Sequence, residues 1–269
     1  MTDPEMVVLA LDAGNTRIKW ARLERSRMGR QHAAVYRDLT LDDYRRRVIG
    51  KLPAQSRIVV ASVAGTRTNA GFRRAARTAG IEPEFVATER HVAGIRVGYL
   101  EPWRLGVDRL LAVAGAHDAL PRKALLVAGV GTALTLDLVD GDGQHLGGSI
   151  VPGPRLMVES LLKQTSGIRR RSRGGGSVPA ELFARSTRAG VQQGARYAAA
   201  SLIDRASLEA RKRLGRAVRV VLTGGDTAFV RPLVQSSTVL IPDLVLRGLA
   251  VWAGESKPLG RRAVSTAAR

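Results

Sequence analysis

The sequence contains no cysteine and few aromatic residues. Phe, Trp and Tyr together make up 4% of its 269 residues, whereas 45% of the residues are hydrophobic. The lack of cysteine excludes disulfides, thiolate metal sites and a cysteine nucleophile. Because aromatic residues are scarce, the core must consist largely of Val, Leu, Ile and Ala.

Long hydrophobic runs and several functional signatures are missing as well. No run approaches the roughly 20 apolar residues that cross a membrane. The N-terminus, MTDPEMVVLALD, is acidic where a secretory signal would be basic. The four histidines follow no zinc-binding spacing, and G-x-S-x-G is absent, so neither a zinc enzyme nor a serine hydrolase is indicated. We expect a cytoplasmic protein without membrane attachment.

Acidic residues are few relative to basic ones. The chain has 43 Lys and Arg against 23 Asp and Glu, a formal net charge of +20. Such a charge attracts polyanions, so nucleic-acid binding has to be weighed. The excess is spread over both halves of the chain, however, and no nucleic-acid module is recognisable. We favour a solvated cationic surface, which would also help to recruit anionic small substrates.

A strand–glycine–strand pattern occurs twice. The apolar run at residues 6–12 leads into a Gly14-Asn15 turn and a returning strand at 18–23, and the pattern restarts at residue 124. Asp12 and Gly129 occupy corresponding positions 117 residues apart, nearly half the chain, which indicates a duplicated domain. We therefore expect an α/β fold with two domains, residues 1–120 and 121–269.

Helical periodicity and cap residues place the helices. We predict helices at residues 41–50, 69–79, 104–119, 154–165, 187–214, 226–235 and 242–254. Buried strands are predicted at residues 57–62 and 218–225. The basic, glycine-rich stretch 169–177 is the clearest loop.

Three glycine turns follow apolar strands. They are Asp12-Ala13-Gly14-Asn15-Thr16, Gly129-Val130-Gly131-Thr132-Ala133 and Thr223-Gly224-Gly225-Asp226. Glycine lets backbone N–H groups approach an anion closely. Each turn taken singly is equally compatible with an ordinary turn, but three in a duplicated arrangement favour a nucleotide site. Neither GxxxxGK[ST] nor a strand-borne GxGxxG is present, so a different phosphate cradle is indicated.

Four charged residues are candidates for chemistry. Asp12 ends a buried strand, where it would meet Mg²⁺ on phosphates or cap its own turn. Lys19, in the same hairpin, either reaches a phosphate or is solvated. Asp108 and Arg109 begin a predicted helix, where they would accept a substrate proton and bind a substrate anion, or form a local ion pair.

The motifs together resemble type III pantothenate kinase. They are DAGNTRIKW at 12–20, GVDR at 106–109, GTALTLD at 131–137, GGSIVPG at 147–153 and TGGD at 223–226, in this order. The resemblance implies the actin-like ATPase (ASKHA) fold, in which two duplicated ribonuclease-H-like domains flank a nucleotide cleft. It further implies ATP-dependent phosphorylation of pantothenate to 4′-phosphopantothenate, the first step of coenzyme A biosynthesis.

The resemblance also implies roles for individual residues. Those that bind ATP would be Asp12, Ala13, Gly14, Asn15, Thr16, Arg17, Ile18, Lys19, Thr132, Gly224 and Gly225, with Asp12 reaching Mg²⁺ through water. Asp108 would be the general base. The substrate would be bound by Tyr99, Gly106, Val107, Asp108, Arg109 and Thr187, the last of them across the interface of a homodimer.

The chain departs from the family pattern at two places. The second motif usually begins with an aspartate that helps to bind a monovalent cation such as K⁺ or NH₄⁺, but here that position is Gly129. A monovalent-cation requirement therefore cannot be transferred residue by residue. The segment 166–178 lacks the family's usual apolar stretch, and from this we expect a looser lid over the substrate.

Two other functions stay open at this point. One is a regulatory or nucleic-acid-binding protein that keeps the kinase scaffold, an alternative supported by the net charge and Gly129. The other is a kinase of the same superfamily that acts on another small substrate. Asp12, Asp108 and Arg109 favour a kinase, and the segment from Tyr99 to Arg109 favours pantothenate.

Overall fold

The computed structural model describes residues 7–24, 27–35, 39–53, 56–174, 181–254 and 265–266. These residues divide into two units. Among the described residues, unit 1 takes in the chain up to Arg122, the segment Asp140–Leu146, and residues 243–254. Unit 2 takes in Lys123–Val139, Gly147–Pro242 and the short strand near the C-terminus. The division expected at residue 120 therefore differs from the observed one, because two later segments fold with unit 1.

Unit 1 is built on a sheet that starts from the first apolar run. Its strands are β1 (Val8–Ala13), β2 (Arg17–Glu24), β3 (Arg27–Met28), β4 (His32–Val35), β5 (Arg57–Ser62) and β6 (Glu84–Phe85). The order is β3-β2-β1-β5-β6, with β4 also paired to β2. β1 is central and pairs antiparallel with β2 and parallel with β5. Consecutive residues of β1 are buried, so both faces of the strand are covered, which explains its continuous apolar sequence.

Unit 2 repeats this pairing pattern. Its strands are β9 (Leu125–Val130), β10 (Ala133–Val139), β11 (His145–Pro152), β12 (Arg219–Thr223), β13 (Thr238–Leu240) and β14 (Ser265–Thr266). The order is β11-β10-β9-β12-β13-β14. Like β1, β9 pairs antiparallel with the next strand and parallel with a later one. β1 and β9 begin 117 residues apart and show the same succession of buried and half-buried residues.

The helices of unit 1 pack on its sheet. They are α1 (Leu41–Asp43), continued by a π-helical segment at Tyr44–Ile49, then α2 (Thr66–Arg77), α3 (Val107–Ala119) and α8 (Leu244–Trp252). A two-stranded ribbon, β7 (His91–Val92) and β8 (Ile95–Arg96), and a 3-10 turn at Pro102–Arg104 lie between α2 and α3 in sequence. Side chains from β1, β5 and α2 form one core cluster with those of the π-helical segment.

Unit 2 contains the remaining helices. They are α4 (Pro154–Gln164), α5 (Ser166–Arg171), α6 (Thr187–Leu214) and α7 (Thr227–Val230), which a 3-10 turn at Arg231–Leu233 follows. The prediction of a loop at 169–177 was wrong for its first three residues, because α5 continues to Arg171; residues 175–177 lie outside the described part of the chain. Arginine is a good helix former, which the loop interpretation underrated. No described helix has the length and apolarity that a membrane span requires.

The last helix joins unit 1 through two glycines. A Cβ on Gly248 of α8 would lie 2.0 Å from the Leu111 carbonyl oxygen of α3, and one on Gly115 would lie 2.5 Å from the Leu244 carbonyl oxygen. Only residues without a side chain allow the two backbones to approach so closely. This contact explains why the chain from Asp243 folds with unit 1 although it follows the second sheet in sequence.

Candidate functional site

The first candidate site lies at the end of β1. Asp12 is the penultimate residue of this strand and faces Lys19 of β2 in the antiparallel register. A tight turn joins the two strands, and the Gly14 N–H donates to the Arg17 carbonyl oxygen over 3.1 Å. Its tip is exposed at Asn15, Thr16 and Arg17. The side chains of Asn15, Thr16 and Arg17 are therefore accessible to a ligand.

Three predicted ligand residues of unit 1 are apolar and have buried side chains. Ile18 is 1% exposed and belongs to the core cluster of unit 1. Val107 is 8% exposed at the start of α3. Both side chains are thus largely removed from solvent in the free protein. Ala13 is buried as well.

The carboxyl group of Asp12 is strongly perturbed. Burial raises the pKa of Asp12 to about 7; the Lys19 ammonium opposes this shift, and the Asp108 and Asp243 carboxylates add to it. Asp12 is thus within electrostatic range of two other carboxylates, one from α3 and one from the residue before α8. An acidic group that is costly to ionise in the free protein is suited to meeting a cation.

Lys19 is held by an acidic residue that the sequence analysis did not single out. Its Nζ lies 3.4 Å from Asp243 Oδ1, and the two side chains are 30% and 18% exposed. Asp243 precedes α8 in a left-handed conformation with φ 59°. In the sequence, Asp243 is marked only by its position between Pro242 and an apolar helix. This position does not indicate a contact with Lys19.

The start of α3 positions Asp108. Gly106 is the N-cap residue of this helix, and Asp108 is acidic in its first turn. A Cβ on Gly106 would lie 2.6 Å from Asp108 Oδ1, so the glycine leaves the space that the carboxylate occupies. The same oxygen accepts the Arg109 backbone N–H over 2.8 Å. The helix begins at Val107 rather than at residue 104, because Gly106 is extended with ψ 132°.

Arg109 and Tyr99 contact each other beside Asp108. Arg109 is 6% exposed, and its Nη1 donates to the Tyr99 hydroxyl over 3.1 Å. The Tyr99 ring lies against the His145 ring at a centroid distance of 5.7 Å. A buried guanidinium held in this way is preorganised to bind a carboxylate. Sequence reasoning missed His145, which enters unit 1 on the segment Asp140–Leu146.

Unit 2 carries the other two glycine turns. A Cβ on Gly224 would lie 2.2 Å from the Val130 carbonyl oxygen, and one on Gly153 would lie 1.9 Å from the Gly131 carbonyl oxygen. The turn after β9 is therefore in close contact with the backbone of two glycines, Gly153 and Gly224, at which no side chain would fit. Thr132, at its tip, is exposed. Gly225 has open space where a side chain would be.

An ion pair lies beside the second of these turns. Arg155 Nε is 2.8 Å from Oδ1 of the buried Asp226, and the Arg155 guanidinium carbon lies 4.9 Å above the Phe229 ring. A cavity of about 280 Å³ adjoins them. It is lined by Pro154, Arg155, Val158, Glu159, Gln192, Arg196 and Phe229.

The predicted substrate residue Thr187 is the first residue of α6. The N-cap residue of this helix, Ser186, accepts the Ala189 N–H over 3.2 Å with its side chain.

Two kinds of cation can be tested against these residues. No three of the described His, Asp and Glu residues form a group that could hold a metal ion. Mg²⁺ would therefore need phosphate and water ligands in addition to Asp12, which suits its preference for retained waters. Gly129 offers no side-chain ligand to a monovalent cation, and a Cβ there would lie 2.7 Å from Thr135 Oγ1.

Comparison with known proteins relates the whole chain to one family. The sequence profile of type III pantothenate kinase matches residues 8–208. The type III pantothenate kinase of Nitrosococcus oceani is 35% identical over 264 residues, covering 95% of this chain and 97% of the relative. That of Xanthomonas campestris pv. campestris strain B100 is 37% identical over 245 residues, covering 91% and 96%.

Solved structures share the fold. A conserved protein of the Baf family from Campylobacter jejuni matches with a TM-score of 0.56 at 20% identity, covering 92% of this chain and 98% of its own. Component A of the (R)-2-hydroxyglutaryl-CoA dehydratase of Acidaminococcus fermentans matches with a TM-score of 0.50 at 13% identity, covering 93% and 96%. At these identities the likeness concerns the α/β fold alone.

Proposed function

Since this chain belongs to the type III pantothenate kinase family, we propose that unit 1 supplies the general base and the pantothenate site for its reaction. That reaction is the ATP-dependent phosphorylation of pantothenate to 4′-phosphopantothenate in coenzyme A biosynthesis. The observation that carries the proposal is the grouping of Asp12, Asp108 and Arg109 within a single unit.

Asp108 takes the proton from the primary hydroxyl of pantothenate. The carboxylate begins a helix and is fixed by the Arg109 N–H and by the space at Gly106. Transfer of the γ-phosphoryl group requires mainly positioning and charge stabilisation. A fixed base beside the hydroxyl supplies the positioning, and it removes the proton as the oxygen attacks in line.

Arg109 binds the pantothenate carboxylate. Its guanidinium is buried and donates to the Tyr99 hydroxyl, so it is held in a fixed orientation beside Asp108. A guanidinium matches a carboxylate in geometry and charge. The Tyr99 hydroxyl lies next to it, so the two side chains form one recognition surface together with the Gly106 backbone.

The hairpin of β1 and β2 binds the nucleotide phosphates. Asn15 and Thr16 lie at its exposed tip, and Lys19 lies near the start of β2, opposite Asp12. Asp12 would hold Mg²⁺ through water, and the ion, when bound, neutralises phosphate charge. We assign Thr132, Gly224 and Gly225 of unit 2 to the nucleotide as well, since Thr132 is exposed and Gly225 has open space where a side chain would be.

We assign the two units to the ribonuclease-H-like type found in the actin-like ATPase superfamily. The support is the repeated strand pairing, in which a central strand has an antiparallel and a parallel neighbour in both sheets. The strands β1 and β9 begin 117 residues apart, the same offset that separates Asp12 from Gly129, and this agrees with duplication. Because ATP is the phosphoryl donor, we place the reaction in the cytoplasm.

We further propose that the chain functions as a homodimer. Phe183 and Leu182, shortly before Thr187, are 88% and 44% exposed, and Leu100 and Trp103 of unit 1 are 96% and 65% exposed. Large apolar side chains at such exposure mark interaction surfaces when they cluster. Sedimentation at assay concentration is expected to give twice the mass of one chain, and a fully active monomer would contradict the proposal.

The activity itself has a direct test. The purified chain, incubated with Mg²⁺, ATP and pantothenate, is expected to form 4′-phosphopantothenate and ADP in equal amounts. Product detected by mass spectrometry should disappear when pantothenate is withheld. ADP release that does not depend on pantothenate would contradict the assignment.

A further inference from the structure

The loop that carries Tyr99 is fastened by a single arginine. Residues 97–101 form no helix or strand, yet the loop presents Tyr99 to Arg109. Arg90 Nη1 donates to the Val97 carbonyl oxygen over 3.0 Å and to the Tyr99 carbonyl oxygen over 2.8 Å. Its Nη2 donates to the Leu100 carbonyl oxygen over 3.0 Å. The Val97 N–H donates in return to the Arg90 carbonyl oxygen over 2.9 Å.

These four hydrogen bonds define the backbone path of the loop. One guanidinium contacts three carbonyl groups within four consecutive residues, and this takes a planar group with several fixed donors. A lysine ammonium is a compact charge and cannot reproduce the fork. The clamp is exposed at its outer end, where the Leu100 side chain is 96% exposed. It orders a backbone that would otherwise have few internal partners on this side.

The loop also rests on the segment Asp140–Leu146. A Cβ on Gly98 would lie 2.0 Å from the His145 carbonyl oxygen, so the backbone at Gly98 is in direct contact with that segment. The Tyr99 ring stacks at a tilt of 38° on the His145 ring. The loop is therefore held by two independent sets of contacts, those with His145 and those with Arg90.

We propose that Arg90 is a positioning residue for pantothenate. It fixes the Tyr99 backbone, thereby holds the Tyr99 hydroxyl on Arg109, and so keeps the guanidinium of Arg109 oriented for the substrate carboxylate. This inference rests on the proposed role of Arg109 and Tyr99. Arg90 itself lies outside the residues assigned to substrate or nucleotide, and neither the sequence motifs nor the family match assigns it a role.

Steady-state kinetics of Arg90→Met test the clamp. We expect the KM for pantothenate to rise about tenfold, which corresponds to about 1.4 kcal/mol, while the KM for ATP stays within twofold of that of the unaltered chain. Arg90→Lys keeps the charge but loses the fork, so it should show most of the same defect. Arg77→Met removes an exposed arginine of α2 that pairs with Glu82 and should change neither constant.

A double substitution separates positioning from general damage. In a Tyr99→Phe background, Arg90→Met should add less than twofold to the KM for pantothenate, because the hydroxyl through which it acts is gone. Equal effects on both KM values, or full additivity with Tyr99→Phe, would overturn the positioning role. An unchanged KM for pantothenate in both Arg90 variants would overturn the clamp alone, whereas an unaltered chain without pantothenate-dependent turnover would overturn the proposed function as well.

Discussion

Lys19 and Asp243 form an ion pair with Nζ and Oδ1 3.4 Å apart, although 224 residues separate them in the sequence. The pair ties the first hairpin to the start of the last helix. Both residues also act on Asp12. The Lys19 ammonium lowers the pKa of Asp12, and the Asp243 carboxylate raises it. The charge state of the proposed phosphate and Mg²⁺ site is therefore set by residues from the two ends of the chain.

The substitution Lys19→Met should raise the pKa of Asp12 further. Lys19 is the charge that opposes the effect of burial, and without it the Asp108 and Asp243 carboxylates act unopposed. An NMR titration of the Asp12 carboxyl carbon in the ligand-free protein measures the shift. Lys51→Met, which removes an exposed lysine elsewhere in unit 1, is the control and should leave the titration unchanged. A lowered Asp12 pKa in Lys19→Met would contradict this electrostatic description.

The stability of the ligand-free protein should fall as the pH rises through the range that Asp12 governs. The folded-state pKa of Asp12 is about 7, above the roughly 3.9 of an unfolded aspartate. Between these two values the folded state binds more protons than the unfolded state. The stability that depends on protonated Asp12 is therefore complete below about pH 4 and lost by about pH 7. The loss is at most about 4 kcal/mol.

Asp12→Asn removes this titration and should flatten the profile. Denaturant unfolding from pH 4 to pH 8 measures the difference, and the variant should be the more stable protein at pH 8. Asp142→Asn, on an exposed turn, should keep the slope of the unaltered chain. The two profiles running parallel across this range would show that Asp12 does not titrate there.

Gly248→Ala should destabilise unit 1. The new Cβ would fall 2.0 Å from the Leu111 carbonyl oxygen, a backbone atom that cannot turn aside. Separating α8 from α3 should cost about 1–3 kcal/mol or more, as overpacking does. Gly71→Ala in α2 is the matched control: its Cβ would meet open space, and alanine is the better helix former. Equal melting temperatures for the two variants would contradict the close packing.

Turnover should not depend on a monovalent cation bound at Gly129. This position offers no carboxylate, and the nearby Thr135 hydroxyl occupies the space into which a side chain would project. Rates measured in KCl, NaCl and choline chloride at equal ionic strength should agree within about twofold. A stimulation by K⁺ of an order of magnitude would mean that other oxygen atoms hold the ion.

Local signals were sufficient for much of the fold. The helix α6 runs from Thr187 to Leu214 as predicted, because Ser186 caps its start and Gly215, with φ 61°, ends it. The strand β5 likewise has its predicted bounds, residues 57–62. The family membership was also predicted correctly, since five ordered motifs carried it. Such features depend on residues a few positions apart, which a single sequence displays.

Long-range contacts explain what the sequence analysis missed. Nothing near Asp243 indicates Lys19, nothing near Arg90 indicates three carbonyl groups, and α8 carries no sign that it packs on α3. The roles of Asp12, Asp108, Arg109 and Thr187 stay predictions. They depend on ligands and, for Thr187, on the proposed second subunit, and a chain considered alone does not contain these.

Turnover by Asp108→Asn, measured beside Asp142→Asn, tests the central assignment most directly. Asparagine keeps the shape of the side chain but cannot accept the hydroxyl proton, so kcat should fall about 10²–10⁴-fold. The melting temperature should change little, and Asp142→Asn should retain full activity. An Asp108→Asn protein that phosphorylates pantothenate at nearly the unaltered rate would show that Asp108 is not the base.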